Sequence, residues 1–370
     1  MNDLNQYLSH KLEERVEKGN LRRLNCQDYP IDFLSNDYLG LSRNKDLGRE
    51  ISEYAQSYSS HGSTGSRLLS GDSPFAHETE SFLARQFNSA SALLFSSGYL
   101  ANIAVMSSIP QKGDTIIYDE LSHACIKDGA RLSFAQRYSF RHNDIEDMSR
   151  KMEKATGRIY LVVESIYSMD GDRAPLDEIY AIAKANDAIL IVDEAHSTGT
   201  YGKNGCGLAA DFKDIIRIMT FGKGVGAHGA CVVGSLKLKE YLINFARPFI
   251  YTTALPMQSM VAIRKGMEYI SRYSTIQQDL YDRIDYFKEI ASKAGLGDQH
   301  GASAIQAILI PGNERVKKVV RYLNKERMDV RAILSPTVRE GEERIRICIH
   351  NFNTYQEIDD LIHKLKSHLA

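Results

Sequence analysis

The sequence predicts an α/β protein, with a large domain around a mostly parallel central sheet and a smaller α+β domain at the carboxyl end. Three observations predict it. Ile159 to Val163 and Ile189 to Val192 are unbroken apolar runs, the signature of strands buried on both faces, as in the middle of a parallel sheet. Between them Leu176, Ile179, Tyr180 and Ala183 fall at i, i+3, i+4 and i+7, so the stretch is one βαβ unit with parallel strands and a right-handed crossover. Beyond residue 257 the pattern changes to strands at 305–310, 330–334 and 344–349 with helices near 313–327 and 354–368. The expected organisation is an amino-terminal helix and arm over 1–40, the large domain over 41–256, and a linking helix with the small domain over 257–370.

Leu4, Leu8, Leu12 and Val16 recur every four residues and predict an amphipathic helix ending at Gly19. Arg22 and Arg23 follow, as solvated charges or as a clamp for an anion. Residues 31–41 read as a strand and then a turn at Asn36-Asp37. Residues 59–71, rich in glycine and small hydroxyls, form a loop whose backbone can approach a ligand or a partner closely. A helix starts after Asp72 or Ser73, with Pro74 in its first turn and Phe75, Phe82, Leu83 and Phe87 facing inward.

Ala92 to Phe95 is a short strand, followed by Ser96-Ser97-Gly98-Tyr99 and a helix over 100–107. A small-residue turn opening a helix makes an anion site, because free N–H groups and the positive helix end meet there. Gly98 and Tyr99 are its donors, and Tyr99 either stacks on a flat ring or packs in the core. Thr115 to Asp119 is the next strand and His123 lies in its exit turn, with a structural and a catalytic role both open. Ser168 lies in the exit loop after Val163. The run 215–219 delivers Thr220 and Lys223 to the same edge, residues 229–234 form a strand, and 250–256 is extended up to Pro256. One helical stretch is expected from Met257 to about Ala294. Arg344, Ile345, Arg346 and Ile347 alternate strictly, so the two arginines share a face that is either solvated or a carboxylate clamp.

Bulk properties exclude several classes. A formal net charge of −1 over 370 residues gives no field that would favour nucleic acid or an anionic membrane. Five scattered cysteines, at 26, 125, 206, 231 and 348, with no C-x-x-C pair, argue for reduced thiols and against structural zinc. No apolar run approaches the roughly 18 residues of a membrane span and the first twenty residues lack a signal-peptide core, so a cytoplasmic location is expected.

An acid, a histidine and a lysine therefore converge on one rim, since ligands of open α/β sheets bind outside the carboxyl ends of the strands. Asp193-Glu194-Ala195-His196 spells the DEAH box of helicases, but that chemistry needs a phosphate loop G-x-x-x-x-G-K-[ST]. Lys203 and Lys223, the two lysines that follow a glycine, are followed by Asn204 and Gly224, and neither fits. The other reading is a pyridoxal phosphate (PLP) enzyme, whose lysine forms a Schiff base with the cofactor while a carboxylate pairs with the pyridinium nitrogen. Asp193 and Lys223 lie thirty residues apart, and the glycines at 222, 224 and 226 leave room for a ring. On spacing alone, a surface-loop Lys223 and a helix-capping Asp193 remain open.

Four motifs in this order resemble the α-oxoamine synthases, PLP enzymes of aspartate-aminotransferase-like fold (PLP fold type I). They are Ser35-Asn36-Asp37-Tyr38-Leu39-Gly40-Leu41, Ser168-Met169-Asp170-Gly171-Asp172, Asp193-Glu194-Ala195-His196 and Thr220-Phe221-Gly222-Lys223-Gly224, and the resemblance runs from Leu21 to the carboxyl end. Gly229-Ala230-Cys231-Val232, and Ser335-Pro336-Thr337-Val338 leading into Arg344, are most similar to members that join L-alanine to a pimeloyl thioester in biotin biosynthesis. Other members join glycine to an acetyl group or serine to a longer acyl chain.

The resemblance implies that Lys223 holds the cofactor and removes the amino acid's Cα proton, that Asp193 pairs with the pyridinium and that His123 stacks on the ring. It implies that His196 bonds the phenolic oxygen with Ser168 nearby, and that Gly98, Tyr99 and Thr220 hold the phosphate. Thr252 or Thr253 would reach the phosphate of the other subunit of a homodimer. Arg346 would take the amino acid carboxylate and Arg22 the distal carboxylate of the acyl chain. Coenzyme A or an acyl carrier protein would carry that chain, with no metal, nucleic acid or membrane involved.

Overall fold

A computed structural model describes residues 3–24, 29–296 and 301–369, so Cys26 lies outside the described residues. The chain forms two compact units: 36–281 with 350–352, and 1–35 with 282–349 and 353–370. Residues 257–281 thus group with the large unit and the amino-terminal arm with the carboxyl-terminal one, whereas the sequence placed a boundary at 256/257.

In the larger unit a seven-stranded sheet runs in the spatial order Ser91–Phe95, Ala230–Gly234, Ile216–Thr220, Ile189–Asp193, Ile159–Glu164, Thr115–Asp119, Gln136–Phe140. Ala230–Gly234 is antiparallel to both its neighbours, and every other pairing is parallel. The predicted βαβ unit is present: Ile159–Glu164 and Ile189–Asp193 pair in parallel, with the Leu176–Ala185 helix between them. Both central strands are apolar on both faces because both faces are covered, one by a core that includes Val162, Ile191 and Ile218, the other by one that includes Leu161, Val163 and Val192. Six strands end at one edge, and the Phe221–Gly229 turn, which carries Lys223, lies there too.

Several boundaries differ from the sequence expectation. Ser73, not Asp72, caps the Pro74–Gln86 helix by accepting from the Ala76 amide. Ile250 is not extended but ends the short helix Arg247–Ile250, started by Pro248 in its first turn. The single helix expected over 257–294 is two, Met257–Arg272 and Thr275–Lys293. Tyr273 leaves helical geometry (φ −120°, ψ 65°), and the adjacent hydroxyls of Ser274 and Thr275 favour a helix start over an interior.

The smaller unit holds an antiparallel sheet in the order Arg331–Ile333, Arg344–Cys348, Ile305–Leu309, and a short parallel pair of Ile31–Asp32 with Met328–Asp329. The Leu4–Glu17 helix forms as expected, yet Leu4, Leu8, Leu12 and Val16 all stay exposed. Among the described residues no helix is long and apolar enough to cross a membrane.

Candidate active site

Asp193 ends its strand beside Glu164, its register partner on the neighbouring strand. It is 4% exposed, and its carboxylate accepts from the Ala195 amide (2.8 Å) and from Asn102 Nδ2 (2.7 Å). Burial pushes its pKa up, against the opposing pull of Lys223 and of these two donors. Glu164 is wholly buried, and burial together with the Asp193 charge raises it to about 8. A buried carboxylate that its surroundings leave under-stabilised is a fitting partner for a cationic ring nitrogen.

Lys223 Nζ lies 3.0 Å from His196 Nε2, and His196 Nδ1 lies 2.7 Å from the Tyr38 hydroxyl. The glycines around the lysine serve a different purpose from the one their spacing suggests. A Cβ on Gly224 would fall 2.7 Å from the Thr198 carbonyl, and one on Gly226 (φ +67°) would overlap the Ser42 amide nitrogen. They let the lysine turn press against two neighbouring loops, whereas a Cβ on Gly222 would make only an ordinary contact, 3.5 Å from the Ala227 carbonyl.

The strand, small-residue turn and helix start expected around Gly98 are present. Ser97 caps the Gly98–Ser108 helix by accepting from the Leu100 amide, and the first-turn amides of Gly98 and Tyr99 have no carbonyl one turn earlier to bond. A Cβ on Gly98 would overlap Thr220 Oγ1. That hydroxyl is buried with no hydrogen-bond partner, so a phosphate oxygen held between the helix start and Thr220 would complete it. The donors and the orphaned hydroxyl fit a phosphorylated cofactor. Tyr99 is 42% exposed rather than core-packed, and its hydroxyl donates to Asp128.

His123 caps the Ala124–Leu132 helix, its Nδ1 accepting from the Cys125 amide (3.3 Å) with Cys125 Sγ at 3.0 Å. Its own amide donates to Glu164 Oε1. Burial and the Lys223 charge hold its pKa below the usual histidine value. A ring caught in this way is neutral, with Nδ1 as acceptor and Nε2 carrying the proton. Ser168 is half-buried in the exit loop of the Ile159–Glu164 strand, which the Ile166–Arg173 bridge closes. His142 pins that loop, with Nδ1 3.0 Å from Asp119 and Nε2 2.7 Å from Asp172.

Thr252 and Thr253 line a cleft with Arg67 and Ser96. Arg346 and Arg22 belong to the smaller unit. Arg344 and Arg346 are both buried, so the alternating face is not a solvated one, and Arg346 lies opposite Arg331 in register. Arg22 is exposed in the segment after the first helix.

Sequence reasoning missed Asn102, Tyr38 and Glu164, and left Glu194 without a role. Glu194 is wholly buried and accepts from the amides of Leu208 and Ala209, from Ser197 and from Arg217 Nε (3.3 Å). Its place inside the DEAH string reflects this structural ion pair. The acid closing an apolar strand was a usable signal for Glu164; nothing local marked Asn102, which meets Asp193 from ninety-one residues away.

Residues 29–365 match the family model of class I and II aminotransferases. The chain belongs to that family, in its α-oxoamine synthase branch. This α-oxoamine synthase is 35% identical to the 8-amino-7-oxononanoate synthase of Emericella nidulans over 99% of this chain and 96% of that one. It is 37% identical to that of Pseudomonas entomophila over 90% and 87%. Among solved structures, the 8-amino-7-oxononanoate synthase of Francisella tularensis superposes with a TM-score of 0.79 at 29% identity, covering 92% of this chain and 97% of that one. A serine palmitoyltransferase from S. paucimobilis with PLP–myriocin bound superposes at 0.90 with 25% identity, covering 99% and 98%. The α-oxoamine synthase accordingly has the aspartate-aminotransferase-like fold, and it is a PLP-dependent acyltransferase.

Proposed function

We propose that this α-oxoamine synthase joins L-alanine to a pimeloyl thioester, releasing carbon dioxide and the free thiol and forming 8-amino-7-oxononanoate. The observation that carries the reading is near full-length similarity to 8-amino-7-oxononanoate synthases in a chain that also carries the Lys223–His196 and Asp193–Asn102 pairs. Bound PLP supplies an electron sink for negative charge at the amino acid's Cα.

The chain's own residues supply the rest. Lys223 would hold the cofactor through Nζ and, as a free amine, would take the proton from the amino acid's Cα and return one to it. Asp193, fixed by Asn102 and the Ala195 amide, keeps the ring nitrogen protonated. His196 and Ser168 face the phenolic oxygen, and His123 covers the ring and offers Nε2–H. Gly98, Tyr99 and Thr220 bind the phosphate, aided by Thr252 or Thr253 of a second subunit. Arg346 takes the alanine carboxylate and Arg22 the distal carboxylate of the acyl chain, which coenzyme A or a carrier protein delivers.

A second reading, transfer of a long acyl chain to serine, is favoured by the higher TM-score against serine palmitoyltransferase. Turnover of the purified enzyme across alanine, glycine and serine, each with acetyl, pimeloyl and palmitoyl thioesters, separates these readings and glycine acetyltransfer. Alanine with pimeloyl thioester should be the fastest pair, and preference for any other pair would replace the reading.

A further inference from the structure

The small-residue loop over 59–71 has been given no role, yet it supports the segment that carries Thr252 and Thr253. A Cβ on Gly65 would overlap Ser70 Oγ, and one on Gly71 would overlap the Gly65 carbonyl and lie 2.7 Å from Ala254 Cβ. The missing side chains let the loop fold on itself and meet Ala254. The Gly65 carbonyl accepts from the Ala254 amide at 2.9 Å. Among the described residues this is the one hydrogen bond made by Thr252, Thr253 or Ala254, which follow the Arg247–Ile250 helix without regular structure.

Arg67 holds the loop. Largely buried, it donates through Nε to Asp72 (2.8 Å) and through a terminal nitrogen to Glu80 Oε1 (2.7 Å). Glu80 lies inside the Pro74–Gln86 helix packing, where it also accepts from the Leu94 amide (3.1 Å) and from Lys239 Nζ (2.7 Å). Leu94 belongs to the Ser91–Phe95 strand, so the guanidinium ties the loop to the sheet and not merely to its own neighbours. The planar fork gives that tie a direction as well as a charge. Arg67 also lines the cleft that holds Thr252, Thr253 and Ser96.

We propose that Arg67 is a positioning residue for the threonine pair, acting through the Gly65 carbonyl, and that it serves the site of the second subunit rather than its own. The inference rests on the reading that Thr252 or Thr253 reaches the cofactor phosphate of the other chain of a homodimer. Arg67 spends its charge on Glu80 and Asp72, and the hydroxyls it places do the binding. Without the guanidinium the loop loses its tie to the sheet, and the one hydrogen bond that holds Ala254 then has a movable acceptor.

The test joins PLP titration of the apo-protein to subunit complementation assayed near the wild-type Kd for PLP. Arg67→Ala should bind PLP about tenfold more weakly, the scale of one lost hydrogen bond to a charged group. Added to Thr252→Ala/Thr253→Ala it should weaken binding little further, because both act through the same hydroxyls. Mixed with Lys223→Ala and allowed to exchange subunits, Arg67→Ala should recover to about a quarter of wild type, since each hybrid joins an intact lysine from one chain to a well-held threonine pair from the other. Mixed with the threonine double variant, it should show only the average of its parents. If Arg67→Ala fails to fold, Gly71→Ala serves instead: it keeps the Arg67–Glu80 contact, pushes on Gly65 and Ala254, and should follow the same pattern. Wild-type PLP affinity, recovery with the threonine variant, or recovery with neither partner overturns the proposal. Lys223→Ala mixed with the threonine double variant is the control: recovery there leaves any failure with Arg67 alone, and no recovery removes the reading of the threonines and the proposal with it.

Discussion

Asp193 shows how a single residue can be ordinary in sequence and costly in place. Its carboxylate is desolvated at the end of a central strand, and the two donors that hold it leave its pKa still raised. A ring nitrogen that gains a proton beside it gains a partner whose charge is already oriented. In the proposed reading, where Lys223 and the Gly98 helix start hold the cofactor, Asp193→Asn should keep it and lose turnover by about a hundredfold or more, as a charge partner worth about two pKa units is removed. Cofactor content by absorbance, measured beside kcat, checks both halves. The cradle yields a second prediction at this scale. Gly98→Ala puts a methyl group into Thr220 Oγ1, so PLP affinity should fall with little loss of kcat at saturating cofactor, read by titrating the apo-protein with PLP.

At the scale of elements, the loops leaving the strands are held by buried ionic contacts, and these respond differently to perturbation. His142 joins the exits of three strands through Asp119 and Asp172; although burial opposes its charge, the two carboxylates raise its pKa to about 10. A histidine whose folded pKa is raised above its unfolded value of 6.5 stabilises fully below 6.5, and the gain is lost as pH rises through about 10. The stability gap between wild type and His142→Gln should be widest at acid pH and close progressively between those values, as followed by denaturant unfolding at several pH values; a constant gap would sink the assignment. Glu194→Ala strands the Arg217 guanidinium in the interior, and an uncompensated buried charge costs about 3–5 kcal/mol of unfolding free energy. The same denaturation experiment measures it.

These elements also mark where sequence was legible. The 159–193 βαβ unit could be read because apolar runs and helical periodicity are local signals. The Gln136–Phe140 strand went unread because it is an edge strand with a polar, largely exposed face. The placement of Asp193, His196 and Lys223 beyond strand ends, and of Gly98 at a helix start, was legible because strand ends and small-residue turns are visible in one dimension. Asn102 and Tyr38 were not, since each acquires meaning only from a partner more than ninety residues away.

At the scale of the whole molecule, one placement ties the chemistry to assembly. Thr252 and Thr253 follow the exposed Tyr251 and line a cleft beside Ser96, two residues before the Gly98 helix start of their own chain. In the proposed homodimer they serve the cradle of the second subunit, so each site takes Lys223 from one chain and a threonine from the other. That arrangement predicts complementation. Lys223→Ala and a Thr252→Ala/Thr253→Ala double variant should each be weakly active alone. Mixed in equal amounts and allowed to exchange subunits, half of the dimers are hybrids, each with one site that combines an intact lysine with an intact threonine pair. Activity should then recover to about a quarter of wild type, the value set by random pairing in a two-fold dimer. If the threonines served their own chain, the hybrid would contain no wild-type site, and the mixture would show only the average of its two parents.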